Sequence, residues 1–154
     1  MSEQIPGESI PSESIPRESI HASCVSIGGR GVLIAGRSGS GKSDLALRLI
    51  DRGALLVSDD YTLLHRTEAR LIANAPPSIA GRIEVRGIGI VALAAKADVP
   101  VCLMADLDRL PDRLPEAADE VSILGAALPC LAFAGHEASA PVKLELALDR
   151  FGLP

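Results

Sequence analysis

The chain has 154 residues, 47% hydrophobic and 23% charged, with a formal net charge of −5. That length makes one domain with a buried core. The acidic balance and an aromatic content of 2% exclude a nucleic-acid surface that pairs basic side chains with stacking rings.

No apolar run approaches the ~20 residues of a membrane span. The N-terminus lacks the basic start and apolar centre of a signal peptide, so the chain reads as cytoplasmic. Cys24, Cys102 and Cys130 are odd in number and far apart, with no C-x-x-C spacing. They read as small buried hydrophobes, not as a disulfide or zinc framework.

Residues 1–20 repeat Ile-Pro-x-Glu-Ser at Ile5–Ser9, Ile10–Ser14 and Ile15–Ser19. Proline every fifth residue blocks a helix, and the polar spacers give a strand nothing to pack. Residues 1–19 are therefore expected to form a disordered tail, and residues 20–154 the folded domain. Ala22–Ile27 and Gly31–Ala35 flank Gly28-Gly29-Arg30, which reads as a hairpin.

The next stretch organises the rest. Gly36-Arg37-Ser38-Gly39-Ser40-Gly41-Lys42-Ser43 reads G-x-x-x-x-G-K-S, the phosphate-cradling P-loop. The apolar run Val32–Ala35 before it suits a buried strand. After it, Leu45, Ala46, Leu49 and Ile50 share one helical face, and Gly53 suits the stop. In such a loop glycines turn the backbone so that amides point at a phosphate, and the helix N-terminus adds its dipole. Lys42 can then reach the β- and γ-phosphates of ATP, and the Ser43 hydroxyl can ligate Mg²⁺.

Ala54–Val57 is another apolar run, and it ends in Ser58-Asp59-Asp60. Carboxylates just beyond a buried strand suit metal or proton handling at a nucleotide site, or else a turn. Tyr61–Arg66 and Ala69–Ala73 read as strands around a Thr67-Glu68 turn. Ile83–Val91 reads as a strand with two glycines for a bend or close approach. Its Glu84 and Arg86 could equally form an ion pair on one face. Val99–Met104 reads as a buried strand and Asp106–Glu120 as a loop with Asp-Arg-Leu-Pro twice in tandem. Short apolar runs follow at Val121–Leu124 and Leu128–Phe133. Pro141 opens a last helix whose inner face is Leu144, Ala147, Leu148 and Phe151. Between Gly53 and Pro141 no other helix is expected. The fold class is thus α/β, with the P-loop in a β-rich domain.

Four features, taken in order, resemble the catalytic domain of HPr kinase/phosphorylase. They are His21 ahead of the P-loop strand, Gly36–Ser43 itself, Val57-Ser58-Asp59-Asp60, and Ile83-Glu84-Val85-Arg86-Gly87-Ile88-Gly89-Ile90. The last is close to the family's acidic-x-Arg-Gly-x-Gly-Ile signature, and the resemblance covers about residues 20–150.

What it implies is an ATP- and Mg²⁺-dependent protein serine kinase acting on the phosphocarrier HPr, and in reverse a phosphorylase. It also implies a homo-oligomer and a nucleotide site like that of phosphoenolpyruvate carboxykinase. By this resemblance His21 lies beside the P-loop at the active site, and Lys42 grips phosphate. Asp60 takes the proton of the substrate serine, with Asp59 as its neighbour. Ser43 and Glu84 hold the metal, and Arg86 lies in the signature. Without the resemblance, His21 would read as a structural hydrogen-bonder, while His65 and His136 receive no role.

The sequence departs from the family in three places. By the resemblance, the repeat tail is expected to stand where the family usually carries an N-terminal domain. Ala140-Pro141-Val142-Lys143 stands where a Pro-Gly-Arg-like segment is expected, so its arginine is either absent or replaced, with Lys143 as the candidate substitute. Arg37 stands where the family often carries an acid. Rival readings are a silent nucleotide-binding module and a small-molecule P-loop kinase. The acids at 59, 60 and 84 speak against the first, and the β-rich middle against the second.

Overall fold

Strand β3 (Arg30–Ala35) is buried on both faces, and the domain is built outward from it. A computed structural model describes residues 17–154. β3 pairs antiparallel with β2 (Ala22–Ile27), from Ala22 opposite Ala35 to Ile27 opposite Arg30. Gly28 and Gly29 make the turn with φ of 60° and 89°, a conformation that suits glycine. On its other edge β3 pairs parallel with β9 (Val99–Asp106), so Ala35 and Asp106 end side by side. The phosphate loop leaves from that carboxyl end, where open α/β sheets bind ligands.

β2 also pairs with β4 (Leu55–Ser58), which sits at the sheet's edge. Beyond β9 the first part of the sheet continues through β6 (Arg70–Asn74), β5 (Thr62–Thr67) and β1 (Arg17–Ile20), all antiparallel. Met104–Asp106 of β9 pair instead with β11 (Ala126–Ala132), which carries β10 (Asp119–Ile123). The repeat tail expected over residues 1–19 lies outside the described residues as far as residue 16. Its last part, Arg17–Ser19, is strand and not tail. The ladder hydrogen bonds that β5 offers at Leu63, Leu64 and His65 pair those residues.

Two helices cover one face of the sheet. α1 (Lys42–Asp51) and α2 (Ala140–Phe151) pack Leu45, Leu49, Leu144 and Leu148 against Val25, Val32, Ile34 and Leu103. The opposite face buries Cys24 and Leu33 with Leu64, Leu71, Val101 and Leu128. Alternating residues of β3 thus feed two cores, as the two-residue strand period dictates. Each fully buried Leu or Ile contributes ~1.5–3 kcal/mol. Arg52 ties the helices together through Glu145 at 2.9 Å. Arg30 donates to the carbonyls of Leu148 and Leu153 at the end of α2, a cation where the helix dipole is negative.

The expected P-loop helix and last helix are both present, and among the described residues only a 3-10 turn at Pro77–Ile79 intervenes. The α/β, strand-rich class stands. One strand reading needs correction. Ile83–Val91 is two strands, β7 (Arg82–Val85) and β8 (Gly89–Ala92), folded as a separate hairpin. Gly87 takes φ of 85°, and the Ile88 amide closes the turn on the Val85 carbonyl at 2.9 Å. The two glycines therefore mark a full reversal of the chain and not a bend. This hairpin carries Glu84 and Arg86.

Candidate active site

The loop between β3 and α1 has the shape its glycines allow. Gly39 and Gly41 have φ of 83° and 94°, the left-handed region that costs other residues ~1 kcal/mol or more. α1 starts at Lys42 with no side-chain cap at Gly41. Its first-turn amides therefore keep free hydrogens, the arrangement that receives an anion.

Lys42 is only 4% exposed. Its Nζ donates to the carbonyls of Gly36 at 2.9 Å and Arg37 at 3.2 Å. A buried ammonium needs such partners, because leaving it unpaired costs several kcal/mol. Asp60 Oδ1 stands 3.8 Å from the same nitrogen.

The two aspartates after β4 point in different directions. Asp59 is 8% exposed. Its Oδ1 accepts from Ser43 Oγ at 2.5 Å and Ser23 Oγ at 3.3 Å, and its Oδ2 accepts from the Glu84 amide at 2.9 Å. Asp60 is half-exposed and its backbone is left-handed, φ 67°. That twist turns its carboxylate outward, where Oδ1 accepts from His21 Nε2 at 2.9 Å. The His21 ring stacks on Tyr61, centroids 4.9 Å apart.

Lys42, Asp59 and Asp60 line a cleft of about 430 Å³ together with Ser38, Gly39, Gly41 and Ser43. Glu84 and Arg86 of the β7–β8 hairpin line it too. The alternative of a Glu84–Arg86 ion pair is not realised among the described residues. Arg37 points away. Its amide donates to Asp108 at 3.0 Å and its guanidinium is 3.8 Å from the same carboxylate, fixing the start of the loop. Ser40 turns its hydroxyl inward, toward the space beside Gly36.

Of the sequence-expected residues, Ser38, Gly39, Gly41, Lys42, Ser43, Asp59, Asp60, Glu84 and Arg86 line one cleft, His21 meets it through Asp60, and Gly36, Arg37 and Ser40 do not line it. Asp59 is the partner of Ser43, not a bystander to Asp60. Lys143 pairs with Glu137 at 2.7 Å and does not line the cleft, so it does not stand in for an arginine there. Two residues were missed. Ser23 has its hydroxyl between the aspartates, and its only sequence signal is a polar residue inside an apolar strand. His136 lines the cleft from the loop before α2, and nothing local to the sequence marks it.

The site fits a hydrated divalent cation. Among the described residues no group of three or more His, Cys, Asp or Glu is spaced to hold a metal alone. Mg²⁺ needs no such cage, since it takes one or two protein oxygens and fills the rest with water and phosphate. Ser43 and Asp59 place two hard oxygens together, and Asp59 is a nearly buried carboxylate with no cationic partner among the described residues.

Comparison with known proteins places the chain in a family. Residues 13–97 match the family model described as the HPr Serine kinase C-terminal domain. The HPr kinase/phosphorylase of Geobacillus kaustophilus is 36% identical over 124 residues, 72% of this chain and 40% of that protein. That of Clostridium botulinum is 45% identical over 71 residues, 46% of this chain and 23% of that protein. The chain therefore spans between 23% and 40% of the length of these curated relatives. The solved structure of the Hpr(Ser) kinase/phosphatase from Coxiella burnetii superposes with a TM-score of 0.77 at 31% identity, covering 86% of this chain and 89% of that one. Matched in sequence over the phosphate loop and the paired acids, and in fold over most of its length, the chain belongs to the HPr serine kinase family.

Proposed function

We propose that the chain is an ATP-dependent protein serine kinase whose substrate is the phosphocarrier HPr. The observation that carries this is the position of Asp60. Its Oδ1 stands at the mouth of the phosphate loop, 3.8 Å from Lys42 Nζ and 2.9 Å from His21 Nε2. A half-exposed carboxylate beside a phosphate-gripping lysine can meet a hydroxyl brought from outside on a protein. A silent nucleotide module has no use for it.

The residues divide the work as follows. First-turn amides of α1 and the Lys42 ammonium hold the polyphosphate and offset its charge. Ser43 and Asp59 hold Mg²⁺, with Glu84 beside them; the bound ion supplies charge neutralisation on the phosphates. Asp60 accepts the seryl proton. In a loose transition state that proton becomes acidic late, so placement counts for more than basicity. The His21 Nε2–H fixes the carboxylate's orientation, and the Tyr61 ring limits how far the imidazole can turn.

Run backwards, the same carboxyl group can return the proton to the serine oxygen while inorganic phosphate removes the phosphoryl group. We extend the reading to that phosphorolysis, to a nucleotide site of the phosphoenolpyruvate carboxykinase type, to a homo-oligomer, and to the cytoplasm. No helix among the described residues is long and apolar enough to cross a membrane.

The test is incubation with γ-labelled ATP, Mg²⁺ and purified HPr. Label on an HPr serine, absent with Lys42→Ala, is the expected result. Nucleotide binding without transfer would mean a silent module, and label on a small metabolite alone would mean a different kinase. Loss of phosphate from phosphoserine-HPr with added inorganic phosphate tests the reverse direction.

A further inference from the structure

His136 has no part in the scheme above, yet its ring stands over the phosphate loop. A Cβ built on Gly41 would lie 3.0 Å from His136 Cε1 and 3.5 Å from Nδ1. The imidazole thus rests against the backbone just before Lys42. It lines the same cleft as Ser38, Lys42 and Asp59.

This placement is built and not incidental. Arg48, on α1, donates to the carbonyl of Gly135 at 2.5 Å and to that of Glu137 at 3.0 Å, one on each side of His136. Arg48 is itself held by Asp44 at 3.0 Å, one turn back on the same helix. The helix that opens at the phosphate loop therefore grips the segment that carries the imidazole. Gly135 adds a close approach, since a Cβ there would come 3.0 Å from Leu107. Phe133, buried, anchors the strand end just before it by donating its amide to the Asp106 carbonyl at 2.9 Å.

The ring itself is exposed, and among the described residues no hydrogen bond engages its nitrogens. An imidazole carries an N–H donor whether neutral or protonated. Beside a loop of inward amides and a lysine, the ligand such a donor meets is an anionic oxygen.

We propose that His136 is a phosphate-contacting residue, donating a hydrogen bond to the polyphosphate of the nucleotide from its place against Gly41. This deepens the reading of the loop as a nucleotide site and rests on it. It assigns the contact to a residue thirty positions beyond the end of strand β9, brought to the loop by Arg48.

The experiment measures MgADP binding by titration calorimetry, without HPr, for the wild type and three variants. His136→Ala removes donor and bulk, His136→Leu keeps bulk over Gly41 without a donor, and His136→Gln restores a donor. Ala and Leu are expected to weaken binding about tenfold, and Gln to stay within ~3-fold of wild type. A Leu variant that binds like the wild type would make the contact mere packing and overturn the proposal. So would a Gln variant as weak as Ala. A wild type that binds MgADP with this pattern but never labels HPr would sink the kinase reading and leave His136 in place. A wild type that binds no nucleotide would overturn both.

Discussion

Ser43 Oγ donates to Asp59 Oδ1 across 2.5 Å, so the phosphate-loop serine meets the first of the two consecutive aspartates and not the second. The left-handed backbone of Asp60 separates the pair. One carboxylate is sunk among three donors, and the other faces the cleft mouth.

Asp59→Asn should therefore act on the metal. The amide side chain keeps the shape but turns a donor toward Ser43, Ser23 or the Glu84 amide, each of which already offers a hydrogen. Nucleotide binding in Mg²⁺ should fall by about 10–100-fold, toward its metal-free value. Titration of ADP with and without Mg²⁺ reads this directly. A variant that keeps its full Mg²⁺ response would remove Asp59 from the metal site.

Asp60→Asn should leave binding alone. Asparagine tolerates the left-handed region, so the backbone at 60 need not change. MgADP affinity should stay within ~3-fold, while phosphoryl transfer to HPr falls by ~10²–10⁴. Single-turnover transfer with labelled ATP separates the two effects. Undiminished transfer would show that the proton goes elsewhere.

Ser23 is expected to be a positioning residue. It is fully buried, donates to Asp59 Oδ1 and accepts the Asp60 amide at 3.0 Å. Ser23→Ala strands that amide and frees one lone pair on Asp59. It should cost ~1–3 kcal/mol of stability and ~10–100-fold in transfer, and Ser23→Thr should recover most of both. The Asp60 amide gives a separate readout, because its hydrogen exchange should quicken in the Ala variant alone. Exchange that does not change would mean the hydroxyl does not hold that backbone.

Cys24 predicts a loss of stability in alkali. Burial pushes its thiol far above the usual range, while the unfolded thiol ionises near ~8.5. Above that pH the unfolded chain releases a proton that the folded chain keeps. The contribution is whole below ~8.5 and shrinks by ~1.4 kcal/mol per pH unit above it. Burial shifts Cys130 in the same direction. Urea melts at pH 7.5, 9 and 10 should show a shallower decline for Cys24→Ala than for the wild type. Identical slopes would mean that Cys24 is not the group responsible.

Much of this was readable along the chain. The hairpin of β2 and β3, the phosphate loop and both helices follow from glycine placement, apolar periodicity and a proline near a helix start, all of which act within a few residues. Lys42 and Ser43 are nameable because they lie in the phosphate-loop motif, whereas His21 and Asp60 take their roles from the family resemblance. The hairpin reversal at Gly87 was harder, since a bend and a turn need the same residue and only the ladder between Glu84 and Ile90 tells them apart.

Local sequence determined where the chain turns and which side chains can carry phosphate chemistry, because dihedral preference and periodicity are short-range. Only the tertiary structure decided that the two adjacent aspartates do different jobs, that Ser23 stands between them, that Lys143 faces Glu137, and that Arg48 draws His136 over the loop. Those outcomes depend on hydrogen bonds spanning up to 89 positions, and such bonds exist only once the sheet has brought their partners together.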